Sequence, residues 1–259
     1  MNESRIHSLV SGRDDAPTVV LSGSLGATTA MWEPQLAALE EHFRVVRYDT
    51  RGHGLSPAAS GPLTIDDLAD DLLAVLDRHG AERAHLVGLS LGGATALRVA
   101  IRAPERVERL AVMCTSAQFA PAQAWHDRAA LARSEGLAGI AQSSMERWFT
   151  PAYLASTDVS PHVAMIAGND PEGYAACCEA LAAMDLRDQL GEVRAPTLVI
   201  AGADDPATPP AALRAIAEGV PHAAYVEVPG ASHLASIEQP AAVNAALIPF
   251  LTGTDKELP

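Results

Sequence analysis

The chain has 259 residues, 48% hydrophobic and 19% charged, the balance of a globular protein with a sizeable core and not of a disordered or fibrous one. Eighteen Lys and Arg against thirty-two Asp and Glu give a formal net charge of -14, the wrong sign for a nucleic-acid or anionic-membrane surface, and no oligomeric state is implied. Cys114, Cys177 and Cys178 fit neither a disulfide framework nor a CxxC pattern, and with no leader-like start and no run of about 18 apolar residues the expected location is the cytoplasm.

In chain order, RIHSLV and TVVLSG read as strands, the second nearly all apolar as in a sheet covered on both faces. The loop that follows, Leu21-Ser22-Gly23-Ser24-Leu25-Gly26, has glycines that let backbone approach a ligand. A helix over 32–41, the strand FRVVRYD and a helix over 65–79 come next. Thr64 and Asp67 have capping-box spacing, and Asp66, Asp67, Asp70 and Asp71 read as a solvated helix start and not a metal site. The strand AHLVGLS leads into Gly88-Leu89-Ser90-Leu91-Gly92 and a helix over 91–102. A GxSxG between a strand and a helix marks a sharp turn that projects a serine hydroxyl above the sheet at a helix N-terminus. Ser90 is therefore the candidate nucleophile. The Leu91 N–H is the expected first oxyanion donor and the Ser24 N–H the second.

After the strand RLAVMCT the strand signal stops, and residues 116–190 are Ala-rich and helical, with Trp125 and Trp148 among them. An insertion at the carboxyl side of a parallel sheet lies where ligands bind, so this segment reads as a helical cap over a core made of 1–115 and 191–259. Strands PTLVIAG and AAYVEVP resume the alternation, with helices over 211–217 and 238–251 and a frayed tail after Gly253. The expected class is α/β, a mostly parallel sheet flanked by helices.

A serine hydroxyl needs a base and an orienting carboxylate, here in the order Ser, acid, His. Asp205, in the turn Ala203-Asp204-Asp205-Pro206 after PTLVIAG, is the preferred acid, with Asp204 the alternative. His233, in the loop Gly230-Ala231-Ser232-His233 after the last strand, is the base. His85 reads as a packed strand residue and His53 as a loop brace.

Together these residues resemble the α/β-hydrolase superfamily from Val19 to Leu251, with Ser22-Gly23 where that superfamily usually has HG, and one strand before Thr18 where it often has two. LSGSLGATTAMWEPQ, RYDTRGHGLSP, GLSLGGATALR, ERWFTP, GYAACCEALAAMDLR, IAGADDPATPP and SHLASIEQP look like the 3-oxoadipate enol-lactonases of aromatic catabolism. That family is fused in some bacteria to a carboxymuconolactone decarboxylase, and a free-standing form is expected here. The resemblance implies Ser90 attack on a small anionic lactone, with no metal or organic cofactor. It also implies a cap arginine for the substrate carboxylate: Arg147 first, beside the possible wall residue Trp148 and with Trp125 also lining, or else Arg128 or Arg133. A generic carboxylesterase with perhydrolase-like side activity, and a ligand-binding receptor on a hydrolase scaffold, are the competing readings. The first predicts faster cleavage of neutral esters, the second an unreactive Ser90.

Overall fold

Each β-rich run of the sequence becomes a strand of one seven-stranded sheet in a computed structural model that describes residues 6–58 and 61–254. The strands are β1 Ser8–Gly12, β2 Thr18–Ser22, β3 Arg44–Tyr48, β4 Ala84–Leu89, β5 Val107–Met113, β6 Thr197–Gly202 and β7 Ala224–Val228. Their order is β1-β3-β2-β4-β5-β6-β7, with β1 antiparallel to β3 and all other neighbours parallel. β4 and β6 are buried along their whole length, which is why their sequences run apolar without alternation. The first strand lies a few residues later than RIHSLV implies. It is a largely exposed edge strand, so its bounds follow pairing with β3 (Val10 opposite Val46) and not a hydrophobic pattern. The expected strand's first residue, Arg5, lies outside the described residues, as does the tail beyond Thr254.

Helices α1 Glu33–Glu40, α2 Ile65–Arg78, α3 Leu91–Arg102, α9 Pro210–Gly219, α10 Ala235–Glu238 and α11 Pro240–Thr252 accompany the sheet. α2 opens with the anticipated capping box: Thr64 Oγ1 accepts from the Asp67 N–H, and the Asp67 carboxylate accepts from the Thr64 N–H. Its apolar stripe, Ile65, Leu68, Ala69, Leu72, Val75 and Leu76, is buried, each large side chain contributing about 1.5–3 kcal/mol. The acidic residues of its first turns are spent on arginines: Asp66 on Arg98 and Arg102, Asp70 on Arg102, and Asp71 on Arg51. The terminal helix begins at Pro240 and not at Glu238. Proline has no N–H to continue a preceding helix and suits a first turn, so Ala235–Glu238 forms a separate short helix.

Between β5 and β6 lie α4 Ala122–Glu135, α5 Ala138–Trp148, α6 Pro151–Ser156, α7 Ser160–Ala167 and α8 Pro171–Ala183. α4 packs on α8, and α5 on α7. Since β2, β4, β6 and β7 are parallel, the loops that leave them gather at one edge of the sheet, facing this helical segment. That edge holds residues 23–26, 90–91, 203–208 and 229–233.

Candidate active site

Ser90 sits at φ 57°, ψ -117°, a conformation an L-residue holds only where its surroundings impose it. Its N–H donates to the Met113 carbonyl (3.0 Å), its carbonyl accepts from Thr115 Oγ1 (2.7 Å), and the Gly92 N–H donates to the Gly23 carbonyl (3.0 Å). Side chains at the flanking glycines would block this packing. A Cβ at Gly88 would lie 2.2 Å from the Gly92 carbonyl oxygen, and one at Gly92 only 2.1 Å from that of Ser22. The GxSxG spacing thus records backbone layers in contact. Leu91 opens α3, so its N–H is among the first-turn donors that a helix does not use itself.

Asp205 is 3% exposed and fully engaged. Its Oδ1 accepts from the N–H groups of Ala207 (2.8 Å) and Thr208 (3.0 Å); its Oδ2 accepts from Thr208 Oγ1 (2.7 Å) and lies 2.8 Å from His233 Nδ1. Burial alone would raise its pKa, but attraction to His233 and the hydrogen bonds from His233 and Thr208 outweigh burial and hold the carboxyl below its usual range. An ionised carboxylate only accepts, so Nδ1 carries the hydrogen that faces Asp205, and in the neutral ring Nε2 is the nitrogen with the lone pair. Asp204 is exposed and borders a separate open groove of about 820 Å3 with Glu146, Thr150 and Glu238. Of the two aspartates, the fold brings Asp205 to the histidine.

Ser90 and His233 line one cavity of about 210 Å3, together with Ser24, Leu25, Trp125, Arg128, Ser144, Arg147, Trp148 and Tyr174. Of the residues the sequence put forward for the substrate, Trp125, Trp148, Arg128 and Arg147 line this cavity. Arg133 is not among them, because it pairs on the surface with Glu172 and Glu179. The Ser24 N–H points at Met31 Sδ (3.3 Å), a weak acceptor. The loop carrying Ser24 is held from beneath. His53 Nε2 accepts from the Gly26 N–H (2.9 Å), its Nδ1 lies 3.1 Å from the Arg51 carbonyl, and Asn169 Nδ2 donates to the Gly26 carbonyl (2.8 Å). Burial lowers the pKa of His53 and suits it to this bracing role as a neutral ring. His85 packs edge-on against Phe43 in β4, its pKa pushed down to about 4 by burial.

The side of the cavity formed by α4 and α5 is cationic. Arg128 is half-buried; its Nε–H donates to Tyr174 Oη (2.7 Å) and its Nη2–H to Ser144 Oγ (2.8 Å). Burial pushes the Tyr174 phenol up to about 12, so both acceptors are neutral. Among the described residues no carboxylate pairs with Arg128. The Arg147 guanidinium, on an exposed residue, has no hydrogen-bond or ion-pair partner among the described residues; packing around it and the nearby Arg128 push its pKa down.

Sequence reasoning missed Glu238. Its Oε1 accepts from the N–H and Oγ1 of Thr150, and its Oε2 from the Ser232 N–H (2.7 Å). Ser232 Oγ donates to the Arg147 carbonyl (3.0 Å) and the Leu234 N–H to that of Trp148 (3.0 Å). The residues on either side of His233 are thereby fastened to the end of α5. The one sequence signal was an acidic residue at the start of the last, mostly apolar helical stretch.

A parallel sheet with a strained serine elbow and an Asp–His pair at its carboxyl edge defines an α/β hydrolase. A model described as alpha/beta hydrolase fold matches residues 17–240, and the chain belongs to that family. It is 42% identical to 3-oxoadipate enol-lactonase 2 of Acinetobacter baylyi, across 91% of this chain and 89% of that protein. The crystal structure of the enol-lactonase from Burkholderia xenovorans LB400 superposes with a TM-score of 0.93 at 42% identity, covering 95% of this chain and 96% of that one. A thermophilic esterase from Thermogutta terrifontis, solved with malate bound, follows at a TM-score of 0.90 and 29% identity, covering 96% and 93%.

Proposed function

We propose that the chain hydrolyses 3-oxoadipate enol-lactone to 3-oxoadipate, as a cytoplasmic enzyme of aromatic catabolism, through an acyl-enzyme on Ser90. The observation that carries this is the meeting, in one small cavity, of Ser90, an Asp205-oriented His233 and two guanidiniums without carboxylate partners. His233 Nε2 takes the serine proton as Oγ attacks the lactone carbonyl. The Leu91 and Ser24 N–H groups receive the oxyanion, Ser24 exchanging a weak sulfur acceptor for a charged oxygen.

Collapse of the tetrahedral intermediate expels an enolate, a better leaving group than an alkoxide. Tautomerisation of the tethered enol to the ketone removes the oxygen that could close the ring again. Water, deprotonated by His233, then releases the acid. Residues 116–190 act as the cap. Within it Arg147 at the mouth, together with Arg128, receives the substrate carboxylate, and Trp125 and Trp148 wall the ring. The malate-bound esterase is a structural neighbour that accommodates a small dicarboxylate, which accords with this reading.

The test follows the ultraviolet loss of freshly generated enol-lactone beside p-nitrophenyl acetate, with wild type and Ser90→Ala. The expected result is kcat/KM for the lactone orders of magnitude above that for the acetate, abolished in the variant. Cleavage of the acetate alone would mark a carboxylesterase, and cleavage of neither would favour a receptor.

A further inference from the structure

A half-buried cation with only neutral hydrogen-bond partners is costly to keep, because desolvation is not offset by a counter-charge. Arg128 is such a group. Tyr174 and Ser144 fix two of its three nitrogens and orient the fork without neutralising it. Arg147 adds a second uncompensated guanidinium on the same cavity. Two like charges on one cavity are arranged for an anion that enters, and a carboxylate matches a guanidinium fork in shape as well as charge. The chain's net charge of -14 opposes that entry only weakly, since screening confines surface charges to about 8 Å at physiological salt.

Nothing in this arrangement requires a ring. The Ser90–His233 side acts on an acyl carbonyl, the arginine side on a carboxylate, and Trp125 and Trp148 supply apolar walls between them. About 210 Å3 admits a ligand of roughly ten non-hydrogen atoms, well below drug size. We infer that the same site hydrolyses open-chain half-esters of short dicarboxylic acids, of which monomethyl glutarate is the type, with the free carboxylate held by Arg128 and Arg147 and the ester carbonyl at Ser90. This inference rests on the proposed serine mechanism.

In the first half-reaction Ser90 Oγ bonds to the ester carbon and its proton passes to His233. The carbon–methoxide bond then breaks, and His233 returns the proton so that methanol leaves. In the second, water attacks the glutaryl-enzyme, His233 takes its proton, the Ser90 ester bond breaks and Ser90 is reprotonated. Ester and water become methanol and a dicarboxylic acid. Unlike an enolate, methoxide needs that proton, and departed methanol cannot re-close on the acyl-enzyme.

The experiment compares kcat/KM for monomethyl glutarate with that for methyl glutaramate, the neutral amide of the same shape. Both are measured on one protein sample, so the fraction of active enzyme cancels in their ratio. The wild type is expected to prefer the acid at least tenfold. Arg128→Gln should bring the ratio close to one, and Arg147→Gln should lower it at least threefold. A wild-type ratio within twofold of one, or a ratio unchanged in both variants, overturns the inference. If neither ester is cleaved by protein that still opens the enol-lactone and labels at Ser90 with a fluorophosphonate, the inference fails alone. If labelling and lactone opening are also absent, the serine mechanism beneath it fails too.

Discussion

The two walls of the cavity solve different problems. On the sheet side the positioning groups are committed: Asp205 accepts four hydrogen bonds, His233 Nδ1 is fixed by Asp205, and the Ser90 backbone is pinned on both sides. On the helical side Arg128 and Arg147 have no carboxylate partner among the described residues. The sheet wall is pre-organised for a reaction common to many acyl groups, while the helical wall, on the proposed reading, is completed by an anionic substrate. Chemistry and selectivity are therefore separable, and substitutions on the two walls should fail in different ways.

The sharpest break comes from the sheet wall. Ser90→Ala should lower kcat/KM for every ester and lactone by roughly a million-fold, leaving circular dichroism unchanged, because removing the nucleophile strands the rest of the machinery. Asp205→Asn should cost roughly ten-thousand-fold, since an amide no longer fixes the Nδ1–H tautomer, whereas Asp204→Asn at its exposed site should change rates by less than about twofold. Stability supplies an independent check on the same aspartate. Its carboxyl has a folded pKa below the unfolded value near 3.9, so its stabilisation is complete above about pH 5 and is lost as pH falls through the folded value. The Tm gap between wild type and Asp205→Asn should be flat from pH 5 upward and close below pH 4. A gap that widened in acid would show that Asp205 is not held ionised.

The same division explains what the sequence discloses. Serine elbow, acid turn and histidine loop are local backbone solutions, so glycines at 88 and 92 and the turn around Asp205 carry their own signature. Gly92→Ala puts this to the test: overpacking against Ser22 should cost about 3 kcal/mol or more, a drop in Tm of roughly 6–12 °C. The helical segment between β5 and β6 has no comparable local grammar. Arg128 and Arg133 both lie on α4, and only tertiary packing puts one into the cavity and the other against Glu172 and Glu179. Glu238 was illegible for a related reason. Its partners Thr150 and Ser232 come from the cap and from the loop beside the base, and no spacing in the chain announces their meeting.

Glu238 joins the walls, and its substitution should fall between the extremes. Glu238→Gln keeps one acceptor for Thr150 but turns a donor toward the Ser232 N–H, or the reverse, leaving a buried group unsatisfied at a cost of about 1–3 kcal/mol. Thermal melting should fall by roughly 2–12 °C. If the strut only adds stability, kcat/KM per folded molecule stays constant. If it also sets His233 against Arg147, the kcat for small anionic esters falls even well below the melting temperature.

The smallest effect should come from Arg133, and its smallness is informative. Its partners lie at the surface, Glu172 exposed and Glu179 partly so, and such surface pairs contribute about 0–1 kcal/mol, further reduced by salt. Arg133→Ala should therefore shift Tm by no more than about 3 °C and leave the preference for anionic over neutral esters intact. Arg128, one helical turn and a half earlier on the same helix, differs in its surroundings and not in its chemistry: neutral partners, half-burial and an opening onto Ser90. Should Arg133→Ala alter the acid-to-amide ratio as much as Arg128→Gln does, selectivity would come from the summed positive charge of α4 and not from the cavity, and the separation of the two walls would not hold.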